Sequence, residues 1–218
     1  MIHYLCNQKG VILKYLVTLL LAAVVSSSAF SQSEVKIGKQ IWMSKNLDVS
    51  TFRNGIAIPE AKNEKQWLKA SENQTAAFCY YEYRSNNGKV YGKLYNWYAV
   101  NDSRGLAPKG YHIPSDEEWI IVTDFLGGSD IAGKKMKSKN GWANDWNGNN
   151  SSGFNGLPGG YCSSLGDFYN VAGYGYFWSS SEFDTNFAWF RGLSRHYTKV
   201  YRSFNSKGNG MSVRCIKD

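Results

Sequence analysis

Three groups of side chains in this sequence could do chemistry. The first is Asp116-Glu117-Glu118, consecutive acids of the kind that bind a metal or share a proton. The second is a loop set, Trp142, Asp145 and Trp146, with Glu182 and Asp184. Indoles there would stack on sugar faces, and the carboxylates would accept hydrogen bonds or join the about six to eight oxygens that calcium takes. The third group is the thiols Cys79, Cys162 and Cys215 with the imidazoles His112 and His196. These are dispersed, contain no CxxC pair and lack zinc-ligand spacing. HExxH, GxSxG and a phosphate-binding glycine loop are absent from the sequence. A Cys162 nucleophile with His196 as its base would need both to meet in space. The chain therefore reads as a non-enzyme without a resident cofactor. Calcium is the one ion suggested, by Glu182, Asp184 and the crowded Asn144, Asp145, Asn147 and Asn149.

The acidic cluster belongs to a helix start. Ser115 and Glu118 form a capping box, in which each side chain bonds the other's free backbone N–H. Acids at the positive end of the helix dipole are favourable, so a capped, solvated first turn is expected. Trp119, Val122, Phe125 and Leu126 then make an apolar face, and Gly127-Gly128 stops the helix. Upstream, Val35–Met43 reads as a hairpin around Gly38. Asn63 and Gln66 make a second capping box before a short helix carrying Trp67. Ala76–Tyr83 reads as a strand containing Cys79, Ser85–Gly88 as a turn, and Val90–Val100 as mostly extended. Residues 139–153, KNGWANDWNGNNSSG, read as a long polar loop, and long ordered loops are often functional. Trp142 and Trp146 are its surface candidates. Short strands follow at 154–157, 160–162, 175–180, 187–193, 199–204 and 211–216. The class is α+β: two main helices, small antiparallel sheets and long loops.

Hydrophobic residues make up 43% and charged residues 19%, which implies a packed body rather than disorder. Lys14 precedes the apolar run YLVTLLLAAVV, too short to span a bilayer. Small residues at Ala29 and Ser31 complete a signal peptide over residues 1–31. The expected mature domain is 32–218, secreted or in the cell envelope, with no membrane span left. The net charge of +8 is scattered, apart from Lys134, Lys135, Lys137 and Lys139, and does not read as a nucleic-acid surface. Cleavage leaves three cysteines, allowing at most one internal disulfide.

The ordered blocks IGKQIWMSKNL, FCYYEY, YGKLYNWYAV, GLAPKGYHIPSDEEW, GFNGLPGGY, GYFWSSSE, AWFR and MSVRCIKD resemble the Fibrobacter succinogenes major paralogous domain. The resemblance spans Val35 to Lys217. It implies an exported bacterial surface protein with a C-type-lectin-like fold, shared with formylglycine-generating enzymes. Ala107 stands where some members carry Cys, and Cys162 where many carry Arg, so the resemblance implies a Cys79–Cys215 disulfide with Cys162 free. The copper-holding cysteine pair of formylglycine-generating enzymes is lacking, and so are the Glu-Pro-Asn and Trp-Asn-Asp motifs of calcium-dependent lectins. The resemblance thus points to a binding or adhesion module for glycans or envelope proteins. A structural surface scaffold without a discrete ligand is the alternative, and a cysteine-dependent enzyme a remoter one.

Overall fold

The computed structural model of the protein describes residues 33–218. The leader expected over residues 1–31 lies outside them. Among the described residues five α-helices accompany three small sheets, and no helix is long and apolar enough to cross a membrane.

The N-terminal hairpin forms as expected. β1 (Glu34–Ile37) and β2 (Gln40–Met43) pair antiparallel, with Val35 opposite Trp42. The turn needs glycine twice over: Gly38 has φ +63°, and a Cβ there would come within 2.9 Å of the Phe125 ring. β5 (Tyr111–His112) and β11 (Ile216–Lys217) complete this sheet, in the order β1-β2-β11-β5. The second sheet has five strands, β6 (Gly159–Cys162), β7 (Phe168–Val171), β8 (Tyr174–Glu182), β9 (Phe187–Ser194) and β10 (Val200–Ser206). Their order is β10-β9-β8-β6-β7, antiparallel except for the β6–β8 pair.

Helices α1 (Glu64–Glu72), α2 (Ser85–Tyr91) and α3 (Trp97–Val100) lie in the first half of the chain, and α4 (Asp116–Phe125) and α5 (Ser129–Met136) follow β5. The capping box of α4 is present: Glu118 N–H donates to Ser115 Oγ at 3.2 Å, and Ser115 N–H donates to the Glu118 carboxylate at 2.8 Å. Trp119, Val122 and Leu126 bury against Trp42, Phe154 and Phe177. Phe125 does not join them and is 63% exposed. It sits six residues after Trp119, about 240° around the axis at 3.6 residues per turn, and covers the hairpin turn instead. Ser115→Ala is expected to cost about 1 kcal/mol. A urea midpoint within a few tenths of that of the parent would show that the cap contributes nothing.

Three local expectations give way, and Val90–Val100, read as mostly extended, is one of them: it ends α2, holds only a two-residue strand and closes as α3. Ala76–Tyr83 supplies only the two-residue β3 (Phe78–Cys79), paired with β4 (Leu94–Tyr95). Glu82 and Tyr83 both take φ +55°, which no strand can continue through. Ser85–Gly88 opens α2 rather than forming a turn. At Gly88 an added Cβ would lie 2.3 Å from the Tyr80 ring, so that helix packs as closely as glycine permits.

The cysteines are also arranged differently. All three are free and buried. Cys79 and Cys162 share one cluster with Trp67 and Leu94, whereas Cys215 belongs to another cluster with Met43 and Val213. The Cys79–Cys215 disulfide is therefore not formed. β3 turns Cys79 toward β6, away from the chain segment that carries Cys215. Burial, and then the Cys162 contact, push the Cys79 thiol well up.

Arg214 is a buried cation that stitches distant segments together. It donates to Met43 O at 2.9 Å, to Phe154 O and to Asn46 Oδ1 at 2.8 Å, with its guanidinium 4.2 Å above the Phe154 ring. Burial lowers its pKa to about 9.

Candidate functional site

The acids at the start of α4 part company. Asp116 is buried, not solvated. Its carboxylate accepts from Arg191 at 2.7 Å and from Arg202 at 2.8 Å, joining the helix to β9 and β10. Burial alone would raise its pKa; the bonds from Arg202 and Arg191 outweigh that and hold it below the ordinary carboxylate value.

Glu118 completes the cap and also meets His112 Nε2 at 2.8 Å, while His112 Nδ1 meets Asp218 at 2.8 Å. A cleft of about 550 Å³ opens here, lined by Arg53, His112, Ser115, Glu118 and Ser180 among others. It brings a serine, a histidine and a carboxylate together, but not as a nucleophile and its base. Both ring nitrogens face carboxylates, and the Ser115 hydroxyl is occupied as the helix cap.

Desolvation opposes the His112 charge, but the bonds to Asp218 and Glu118 prevail and its pKa is raised. A raised folded-state pKa gives stability that is full below the unfolded value, about 6.5, and lost as pH rises through the folded one. The melting temperature of His112→Gln should fall furthest below wild type at pH values under the unfolded pKa and converge with it as pH rises through the folded one. A gap independent of pH would contradict this coupling.

The second cleft is built by the polar loop. Its volume is about 340 Å³, and Lys134, Asp145, Trp146, Asn147, Arg195 and His196 are among its lining residues. Asp145 and Trp146 thus fall in one site. Trp146 is 52% exposed, its ring centroid 6.1 Å from that of His196. Trp142 is not in this cleft and is only 3% exposed: its indole N–H donates to Ser138 Oγ at 3.0 Å, and its ring packs in the core cluster of Phe154 and Leu193. The surface role expected for Trp142 is therefore corrected. The loop's polar side chains are what allow the burial, since Asn147, Asn150 and Ser152 accept from backbone N–H groups of Trp142, Asn155 and Phe154.

The cleft is rigidly framed. Lys137 is buried, and its ammonium donates to Trp146 O at 3.1 Å, Ser194 O at 3.0 Å and Tyr197 O at 3.3 Å. One side chain thereby ties the loop to the β9–β10 turn. Burial, and then the charge of Lys134, lower its pKa. A Cβ at Gly133 would stand 2.5 Å from Lys199 O, and one at Gly148 would stand 2.3 Å from Lys137 O. Backbone lies directly on backbone at both places. The result is a preformed cleft with Lys134, Arg195 and Lys137 against the single acid Asp145.

Glu182 and Asp184 stand apart from it. Glu182 pairs with Lys207 at 2.8 Å, and Asp184 Oδ1 closes its own turn by accepting from Asn186 and Phe187 N–H at 2.8 and 2.9 Å. Neither is among the cleft's lining residues. Among the described residues no group of three His, Cys, Asp or Glu is placed to hold a metal ion. Apart from His196, the basic and aromatic residues of the β9–β10 turn are not among the sequence's candidates, although the run Arg195-His196-Tyr197-Thr198-Lys199 carries that composition plainly.

The profile of the Fibrobacter succinogenes major domain matches residues 35–217, and the chain belongs to that family. No curated protein and no solved structure gives a significant match.

Proposed function

We propose that this protein is an exported binding module of the cell surface or secreted fraction, and that its loop cleft takes a sugar bearing negative charge. The observation that supports this most is the exposed Trp146 indole in a preformed cationic cleft. An indole face suits the C–H face of a pyranose, amide and imidazole groups suit its hydroxyls, and Lys134 with Arg195 suits a carboxylate or sulfate. The cleft is already framed by Lys137 and by backbone contacts, so little ordering cost falls on binding. A C-type-lectin-like fold, which the family resemblance implies, would accord with this reading, as do the helices, the small sheets and the long loop bearing the site. The apolar leader in the sequence accords with export.

A glycan array displaying neutral, uronate-bearing and sulfated oligosaccharides tests it. Wild type should bind within the anionic set, and Trp146→Ala should lose that signal without a change in melting temperature. No binding to any glycan, with a protein recovered by pull-down instead, would favour the scaffold reading.

A further inference from the structure

One residue from every strand of the five-stranded sheet falls on a single transverse row. Tyr201 lies opposite Gly192, Gly192 opposite Tyr176, and Tyr161 opposite Tyr169. Tyr161 and Tyr176 each follow a member of the Gly160–Gly175 pair that joins β6 to β8. The rings touch along the row, Tyr161 to Tyr176 at 5.2 Å and Tyr161 to Tyr169 at 5.4 Å between centroids. Glycine in the middle lets the rings close up, since a Cβ on Gly192 would already be 3.5 Å from Phe190 and Tyr201 and 3.8 Å from Tyr176.

The opposite face of the same strands carries Phe177 and Leu193, which are buried with Trp119 and Met136 of the two later helices. The tyrosine row is half-buried to exposed, with Tyr161 and Tyr176 packed against the core cluster of Trp178 and Phe190. At its Tyr201 end it runs into the loop cleft, because the ring of Tyr197, a lining residue, is 5.9 Å from that of Tyr201. The Lys199 ammonium stands 4.6 Å over Tyr201 and 5.6 Å over Tyr197.

We propose that the row continues the cleft's binding site and that the ligand is a linear anionic polysaccharide lying across the strands. This rests on the reading of the cleft given above. Strands about 4.8 Å apart make the strip about 20 Å long and one ring wide. That falls far short of the about 800 Å² per partner that a stable protein interface buries. A chain of sugars fits a strip, with C–H faces on the tyrosine rings and hydroxyls at the phenolic tips. Lys199, Arg195 and Lys134 set the sign of its charge.

The test uses two anionic series, oligogalacturonides and chondroitin sulfate oligosaccharides, each as disaccharide and longer chain, with cello-oligosaccharides as the neutral control. In titration calorimetry wild type should bind the longer chains of one anionic series roughly tenfold or more tighter than its disaccharide. Tyr161→Leu should abolish that gain while leaving the disaccharide affinity unchanged, and Tyr161→Phe, which keeps the ring but not the hydroxyl, should keep most of it. Trp146→Ala should weaken both. If Tyr161→Leu fails to fold, Tyr169→Leu, at a ring 45% exposed, carries the same comparison. A length-dependent gain that survives in a folded Tyr→Leu variant overturns the row and leaves the cleft reading standing. Equal binding of the neutral series overturns the anionic assignment, and no binding of any chain by wild type overturns both.

Discussion

Replacing Asp116 by Ala is expected to destabilise the protein by about 3–5 kcal/mol, the range for removing one partner of a buried ion pair. The Arg191 side chain is 3% exposed and would keep only its bonds to the backbone oxygens of residues 116 and 190. Arg202, 46% exposed, could turn to water, but its guanidinium lies 3.6 Å over the Trp189 ring, and leaving would forfeit that contact. Asp116→Asn keeps an acceptor and should lose less. The sign with pH is fixed by the depressed carboxyl pKa: its contribution is full above the unfolded value, about 3.9, and disappears as pH falls through the folded one. Urea unfolding at neutral pH measures the loss. A change under about 1 kcal/mol with an unaltered slope would mean that Arg191 is satisfied without the carboxylate.

Trp142→Ala should cost a similar amount, about 3–5 kcal/mol, as large-to-small changes in a packed core do. The indole fills space beside Phe154 and Leu193, its N–H is bonded to Ser138, and the Lys137 ammonium lies 5.2 Å from its ring. The same change at Trp146, four residues on, should stay within about 0.5 kcal/mol, because that ring is largely in water and packs little. Thermal melts of the two variants side by side decide the assignment. Equal losses would place both indoles in the core, and no loss at Trp142 would put it on the surface.

These two residues also mark where the sequence stops being legible. The α4 capping box, the hairpin and the strands at 160–162, 175–180, 187–193 and 199–204 are legible because their signals are local: a cap three residues from its partner, a glycine turn, alternation along a strand. The stretch 154–157 forms no strand, and 211–216 becomes strand only at its end. Asp116 could not, because the arginines that bury it lie 75 and 86 residues away. Trp142 was hidden by composition. A loop rich in Asn and Ser reads as solvated, yet here those side chains satisfy the backbone and let the indole turn inward. Family resemblance pairs Cys79 with Cys215; the short β3 and the irregular turn at Glu82-Tyr83, invisible to periodicity, send it to the cluster of Cys162 instead. In the candidate site, loop composition points to Asp145 and Trp146, whereas Glu182 and Asp184, acidic and near in sequence to the late strands, do not line the cleft. The tyrosine row needed the register of five strands, including one parallel pair, before its members could be aligned.

The binding reading is tested most directly at the indoles themselves. The sequence holds eight tryptophans, each giving one indole N–H signal in a nitrogen–proton correlation spectrum. Trp146→Phe and Trp142→Phe assign the two that matter. Adding chondroitin sulfate or oligogalacturonide chains should shift the Trp146 signal with saturation, leave the Trp142 signal in place, and do neither when cello-oligosaccharides are added. A Trp146 signal unmoved by either anionic chain, or moved equally by the neutral one, would contradict an anionic sugar site in the loop cleft.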